Sequence, residues 1–240
     1  RVARLANPES ITIPDVLLPQ DGSAYFSRFF RNDGELLVTH QSFSHQGRTY
    51  VAPFKAVEAD EEGTLRLKWW APNERLRGAQ VPLGAPTSQR VAWLKPEVDK
   101  PVGMMIVATL RLPPAPAPGS SANASANPGF LFATTSPNKP PDSAAAGILL
   151  AVDHAARVSA WNVTAIDSES RTLSLITTWD RDLAAKLQPG ASVTTRLLYR
   201  HDMVELYLED YLLALYLLPP TTGRVALFSG DDAGSIQHAT

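Results

Sequence analysis

The sequence predicts an all-β protein, and three observations carry that expectation. Twenty prolines stand against 14 glycines in 240 residues, several of them paired, which favours a loop-rich β fold over a helical one. Apolar runs are short and are separated by Gly, Asn, Asp or Pro rather than joined by a long 3.6-residue period. Within one run, Val204, Leu206 and Leu208 face one way and Met203, Glu205 and Tyr207 the other, the alternation of a half-buried strand. A helix competes there, because Val204, Leu208, Leu212 and Leu215 also fall at helical spacing. The polar pairs His201-Asp202 and Glu209-Asp210, with the bracketing Pro and Gly, favour strands.

Taken in order, residues 1 to 20 show only Ile11-Thr12-Ile13 as a short edge strand. Strands are then predicted over Ala24–Phe30, Glu35–Phe43, Thr49–Ala59 and Thr64–Trp70. Their breaks, Asn32-Asp33-Gly34, His45-Gln46-Gly47 and Asp60 to Gly63, carry the Gly and the small polar residues that hairpins need. Four hairpin-linked strands within about fifty residues have the size of one β-propeller blade. A single blade cannot bury both faces, so this one needs neighbours or must pack on the second domain. Polar, Pro-containing Asn73–Leu83 reads as a linker, which gives a blade-and-linker unit over residues 1–83 and a β-sandwich over 84–240. The sandwich strands are predicted at Gln89–Leu94, Val102–Leu112, Gly129–Thr135, Gly147–Val152, Ala156–Ile166 and Arg171–Thr178, followed by the closing meander. Pro113–Pro128 and Ser136–Ala146 read as exposed loops, and Ala184–Leu187 as one helical turn.

The closing meander carries a resemblance. An arginine-led strand beginning at Arg196 is followed by a strand holding Glu205, an acidic turn, a Tyr and Pro return, and Thr222-Gly223-Arg224-Val225-Ala226-Leu227-Phe228. This is similar to the C-terminal sandwich of glycoside hydrolase family 32, the invertases, levanases and inulinases. The segment from Tyr50 to Trp70 likewise resembles that family's last propeller blade. The resemblance implies a concanavalin-like two-sheet sandwich after the blade. It also implies that the chain is the C-terminal portion of a secreted or periplasmic glycosidase cleaving fructan or sucrose. A free-standing carbohydrate-binding or lectin-like module is the alternative, and a purely structural or oligomerising β domain is a third.

Glycosidases use two carboxyl groups across one scissile bond. The family's nucleophile, stabiliser and acid lie in Asn-Asp-Pro, Arg-Asp-Pro and Glu-Cys motifs, none of which occurs here. The only Asn-Asp is Asn32-Asp33, followed by Gly, and there is no cysteine. No catalytic residue is therefore assigned, and Asp33 is read as a turn residue. Glu205, flanked by Val204 and Leu206, is expected to need a cation, with Arg196 or Arg200 of the preceding strand supplying it. In Trp69-Trp70 one ring should enter the core and the other a surface, so the pair is read as an interdomain contact or as a carbohydrate platform. Trp161 and Trp179 are read as core or rim. His40 and His45, five apart in a strand, fall on opposite faces, and Asp153-His154 and Asp231-Asp232 are read as solvated turns, so no metal is assigned.

Composition bounds the rest. Hydrophobic residues make up 44% and charged residues 19%, as in an ordinary globule, and the net charge is −2 with no basic stripe for nucleic acid. No apolar run reaches the roughly 18 residues that a membrane-spanning helix needs. The sequons at Asn123 and Asn162 occur at a frequency near chance. No cofactor is implied. The expected partners are carbohydrate and the preceding propeller portion of a parent protein.

Overall fold

A computed structural model describes residues 24–43, 49–59, 65–81, 90–95, 97–117, 127–134, 146–164, 172–179, 187–230 and 235–239. Its strands are β1 (Ala24–Asn32), β2 (Glu35–Phe43), β3 (Thr49–Val51), β4 (Lys55–Ala59) and β5 (Leu65–Trp69), then β6 (Val91–Trp93), β7 (Met104–Arg111), β8 (Gly129–Thr134), β9 (Ala146–Val152) and β10 (Val158–Thr164). The series closes with β11 (Thr172–Trp179), β12 (Ser192–Arg200), β13 (Met203–Leu208), β14 (Tyr211–Leu217), β15 (Thr221–Phe228) and β16 (Ser235–Ala239). The fold is all-β, as the turn-punctuated sequence predicts.

The hairpins explain themselves locally. Three two-residue turns, Asp33-Gly34, His201-Asp202 and Glu209-Asp210, have positive φ at both central residues. That backbone twist matches the right-handed twist of the flanking strands. Two of these turns lack glycine, and their carboxylates are tied down. The Thr194 amide donates to Glu209 Oε1, and the Thr221 hydroxyl and the Lys100 ammonium donate to Asp202. Thr49–Ala59, predicted as one strand, is two, because Pro53 has no N–H to continue the ladder. The expected linker begins as a 3-10 helix, Ala71–Leu76, with Pro72 in its first turn. The expectations at Ile11–Ile13 and Ala184–Lys186, and most of both exposed loops, lie outside the described residues.

All pairings are antiparallel, and the strands form two sheets. One has the order β1-β2-β4-β5-β14-β13-β12-β7-β16, with β3 also paired to β2; the other runs β11-β10-β9-β8-β15-β6. Their inner faces meet in the main core. Ile106, Leu110, Leu197, Tyr199, Val204 and Leu206 come from the first sheet, and Phe130, Phe132, Ile148, Leu150, Val158 and Val225 from the second. Trp179 joins this core and Trp161 packs on the second sheet's far face, with Leu131, Leu149 and Phe228.

The first five strands are not set apart by sheet pairing. The Trp69 amide donates to Asp210 O at 2.8 Å, and Lys68 lies in register with Tyr211. That narrow seam lets the sheet fold back on itself. Val38, Leu67 and Trp69 pack on Tyr207, Leu212 and Leu215, which point away from the main core. The outer face of β13 and β14, which a simple sandwich would leave to solvent, is thus covered by the chain's own N-terminal strands.

Candidate functional site

The covered face encloses the chain's most unusual chemistry. Alternation along β13 sends Val204 and Leu206 into the main core and Glu205 and Tyr207 outward, under β2 and β4. Glu205 is 2% exposed and Lys55 is 0% exposed. Lys55 Nζ lies 2.8 Å from Glu205 Oε1 and also donates to Pro53 O at 3.0 Å. His40 Nε2 lies 3.2 Å from the same Oε1, and the Tyr207 hydroxyl donates to Oε2 at 2.5 Å. Ionised Glu205 only accepts, so the imidazole nitrogen facing it carries a proton.

Burial pushes the Glu205 carboxyl up, but the Lys55 charge, the His40 bond and charge and the Lys55 bond outweigh it, bringing it to about 2. Burial pulls the Lys55 ammonium down, and the Glu205 charge restores part of that. The Tyr207 phenol is pushed well up by burial and by the Glu205 charge. A carboxylate so held is ionised at any ordinary pH and shut away from solvent, so it can neither protonate nor attack a substrate. What it can do is fix β2 and β4 on β13.

Glu205 thus finds its cation in Lys55, not in Arg196 or Arg200 as the sequence suggested. Both arginines share its face, since Arg196 is in register with Tyr207 and Arg200 with Met203. Arg196 instead bonds Glu74 and reaches Asp210 at 3.0 Å, with its guanidinium 4.7 Å from the centre of the Trp69 ring. Arg200 donates to Pro101 O and lies over Tyr50. The partnership of Lys55 and His40 with Glu205 is not legible in the sequence, where His40 is considered only beside His45, because it spans 150 and 165 residues. One local sign exists: Lys55 sits within the apolar run Phe54-Lys55-Ala56-Val57, in step with Trp69 across the ladder.

The two tryptophans separate as expected for neighbours on a strand. Trp69 is 9% exposed, edge-on to Tyr207 at 5.5 Å, with its Nε1 donating to Glu74. Trp70 is half-buried, donates from Nε1 to Glu35 at 2.9 Å and meets Phe54, which in turn meets Phe30. These rings make an aromatic cluster on the face turned away from Glu205.

Beside Trp69 lies a cavity of about 580 Å³, within the usual size of small-molecule sites. Met104, Met105, Val107 and Leu198 line its sheet side, and Asn73 and Arg77–Val81 the other. Elsewhere, Asp33 is a turn residue and Asp153 accepts from the Ala155 and Arg157 amides and from the Arg157 side chain. His45, Asp231 and Asp232 lie outside the described residues. Among the described residues no group of three or more His, Cys, Asp or Glu is arranged to hold a metal, and no helix is long and apolar enough to cross a membrane.

These features define a two-sheet β-sandwich whose outer face is covered by N-terminal hairpins. No family model and no curated protein matches the sequence. Among solved structures, the chain is similar in fold to fructan 1-exohydrolase IIa from Cichorium intybus in complex with 1-kestose. The TM-score is 0.54 at 14% identity, over 91% of this chain and 47% of that one. It is similar also to a glycoside hydrolase family 32 β-fructofuranosidase of Bombyx mori, with TM-score 0.52 and 12% identity, over 90% of this chain and 40% of that one. The chain therefore spans less than half the length of these enzymes, and at such identity the likeness is one of fold.

Proposed function

We propose that this chain is a non-catalytic portion of a longer sugar hydrolase of the fructan- or sucrose-cleaving kind, in which it braces the catalytic part and contributes to sugar contact. The observation that carries the proposal is the fold likeness, which takes in nine tenths of this chain but under half of the fructan exohydrolase. The buried Glu205–Lys55 pair supports a bracing role, because it fastens β2 and β4 to β13 without exposing a reactive group. On this reading residues 1–83 are the blade and linker and 84–240 the sandwich, the preceding propeller is the covalent partner, and the parent is secreted or periplasmic.

Of the two tryptophans, Trp70 is the one assigned to sugar. Its ring is half-buried beside Phe54 and its Nε1 is already oriented by Glu35, a combination of aromatic surface and fixed polar group suited to a pyranose or furanose. Trp69, capped by the Arg196 guanidinium, is assigned to packing. Titrating the chain with 1-kestose and with inulin while following tryptophan fluorescence tests this. A saturable change lost in Trp70→Ala is expected; no change, or one unaltered by Trp70→Ala, refutes the assignment.

A further inference from the structure

The segment Arg77–Val81, which follows the 3-10 helix, has no regular structure, and each of its residues is exposed. Leu76 just before it is 74% exposed, and Val81 45%. Arg77 is extended, with φ −67° and ψ 133°, and its amide donates to Glu74 O at 3.2 Å. Among the described residues, Gly78–Val81 take part in no backbone hydrogen bond, and a Cβ on Gly78 would meet no atom within 4 Å. An exposed and extended backbone whose hydrogen-bonding groups are open is what an endopeptidase draws into its cleft as an added strand.

The side chains narrow the choice to one bond. Of the described lysines and arginines, only Arg75 and Arg77 are exposed, lie outside strands and do not precede a proline. Lys95 and Lys100 precede Pro96 and Pro101, and Arg28, Arg31, Arg111 and Arg200 stand within β1, β7 and β12. Arg75 is held in the 3-10 helix, which leaves Arg77. Its guanidinium pairs with Glu74, but that pair is open to water and contributes little. Glu74 also keeps Arg196 and the Trp69 Nε1 as partners when Arg77 leaves.

We propose that Arg77–Gly78 is a processing site for a trypsin-like endopeptidase, whose specificity pocket carries a carboxylate, and that the nicked chain persists as a two-piece complex. The cut is a hydrolysis: one water is consumed, Arg77 is left with a new carboxylate and Gly78 with a new amine. The groups that fasten the N-terminal hairpins to the sandwich all lie away from this bond. Lys55 and His40 stay on Glu205, and Trp69 stays edge-on to Tyr207. The Trp69 amide still donates to Asp210 O, and Arg196 still bonds Glu74. Cleavage therefore removes the covalent tie and none of these contacts.

Brief digestion of the native 240-residue chain with trypsin, read by fragment mass and N-terminal sequencing, tests the site. A new N-terminus at Gly78 is expected ahead of a cut at any other described lysine or arginine. Arg77→Gln, a change at an exposed side chain, should abolish it. In size-exclusion chromatography the pieces ending at Arg77 and beginning at Gly78 should elute together, and they should part only in urea. A described lysine or arginine cut before Arg77, a Gly78 terminus that persists in Arg77→Gln, or pieces that separate without denaturant would each overturn the proposal.

Discussion

Removing one partner of the Lys55–Glu205 pair should cost far more than removing both. At 2.8 Å the gross attraction is about 6 kcal/mol with an effective dielectric of 20. Taking both ions out of water costs several kcal/mol each, so the pair as a whole contributes little net stability. Once Glu205→Gln leaves the Lys55 ammonium at 0% exposure with no carboxylate, that desolvation is uncompensated, and a loss of about 3–5 kcal/mol is expected. Lys55→Met should cost somewhat less, because the His40 ring nitrogen and the Tyr207 hydroxyl still serve the carboxylate. The double variant Lys55→Met/Glu205→Gln removes both charges and should lose no more than Glu205→Gln alone, a coupling of roughly 2 kcal/mol or more. Urea unfolding followed by tryptophan fluorescence measures all four proteins. Additive losses, or a Glu205→Gln loss below about 1 kcal/mol, would refute the reasoning.

Acid should act through the same group. Its carboxyl titrates near 2 in the fold against an ordinary 4.5, so its stabilisation is complete above about 4.5 and is lost as pH falls toward 2. The shift corresponds to about 3 kcal/mol, and the pH-dependence of unfolding free energy in that window should be flatter in Glu205→Gln than in the parent chain. Tyr207→Phe removes one donor to Oε2 and should cost about 1–3 kcal/mol by urea unfolding. Gly223 has φ +90°, and a Cβ there would stand 2.9 Å from Val98 O, whose own amide donates to Gly223 O. Gly223→Ala should therefore destabilise by about 1–3 kcal/mol, read as a lowered urea midpoint.

The sheets were legible in the sequence because their signals are local. Alternation at Met203–Leu208 and the polar pairs His201-Asp202 and Glu209-Asp210 set strands and turns within a few residues of one another, and the breaks fell where φ turns positive. Pro53 is equally visible, and it divides the strand predicted over Thr49–Ala59, because a proline inside an apolar run has no N–H to continue the ladder. The site was only half legible. Glu205 stood out as a carboxylate between Val204 and Leu206, and adjacency pointed to the arginines of the neighbouring strand. Those arginines do lie on its face, but Arg196 is drawn to Glu74 and Asp210, and the fold-back of β2 and β4 brings in Lys55 and His40 instead. No local pattern encodes a contact across 150 residues that depends on one narrow seam between β5 and β14.

The proposed function is that this chain serves a sugar hydrolase without carrying its chemistry. Released reducing sugar from sucrose, levan and inulin, assayed for the 240-residue chain and for the full-length parent protein, tests it most directly. The expected result is turnover by the parent and none by the chain, because hydrolysis needs two carboxyl groups facing one scissile bond and Glu205 is buried against Lys55. Turnover by the isolated chain that disappears in Glu205→Gln, or a parent inactive on all three sugars, would contradict the account.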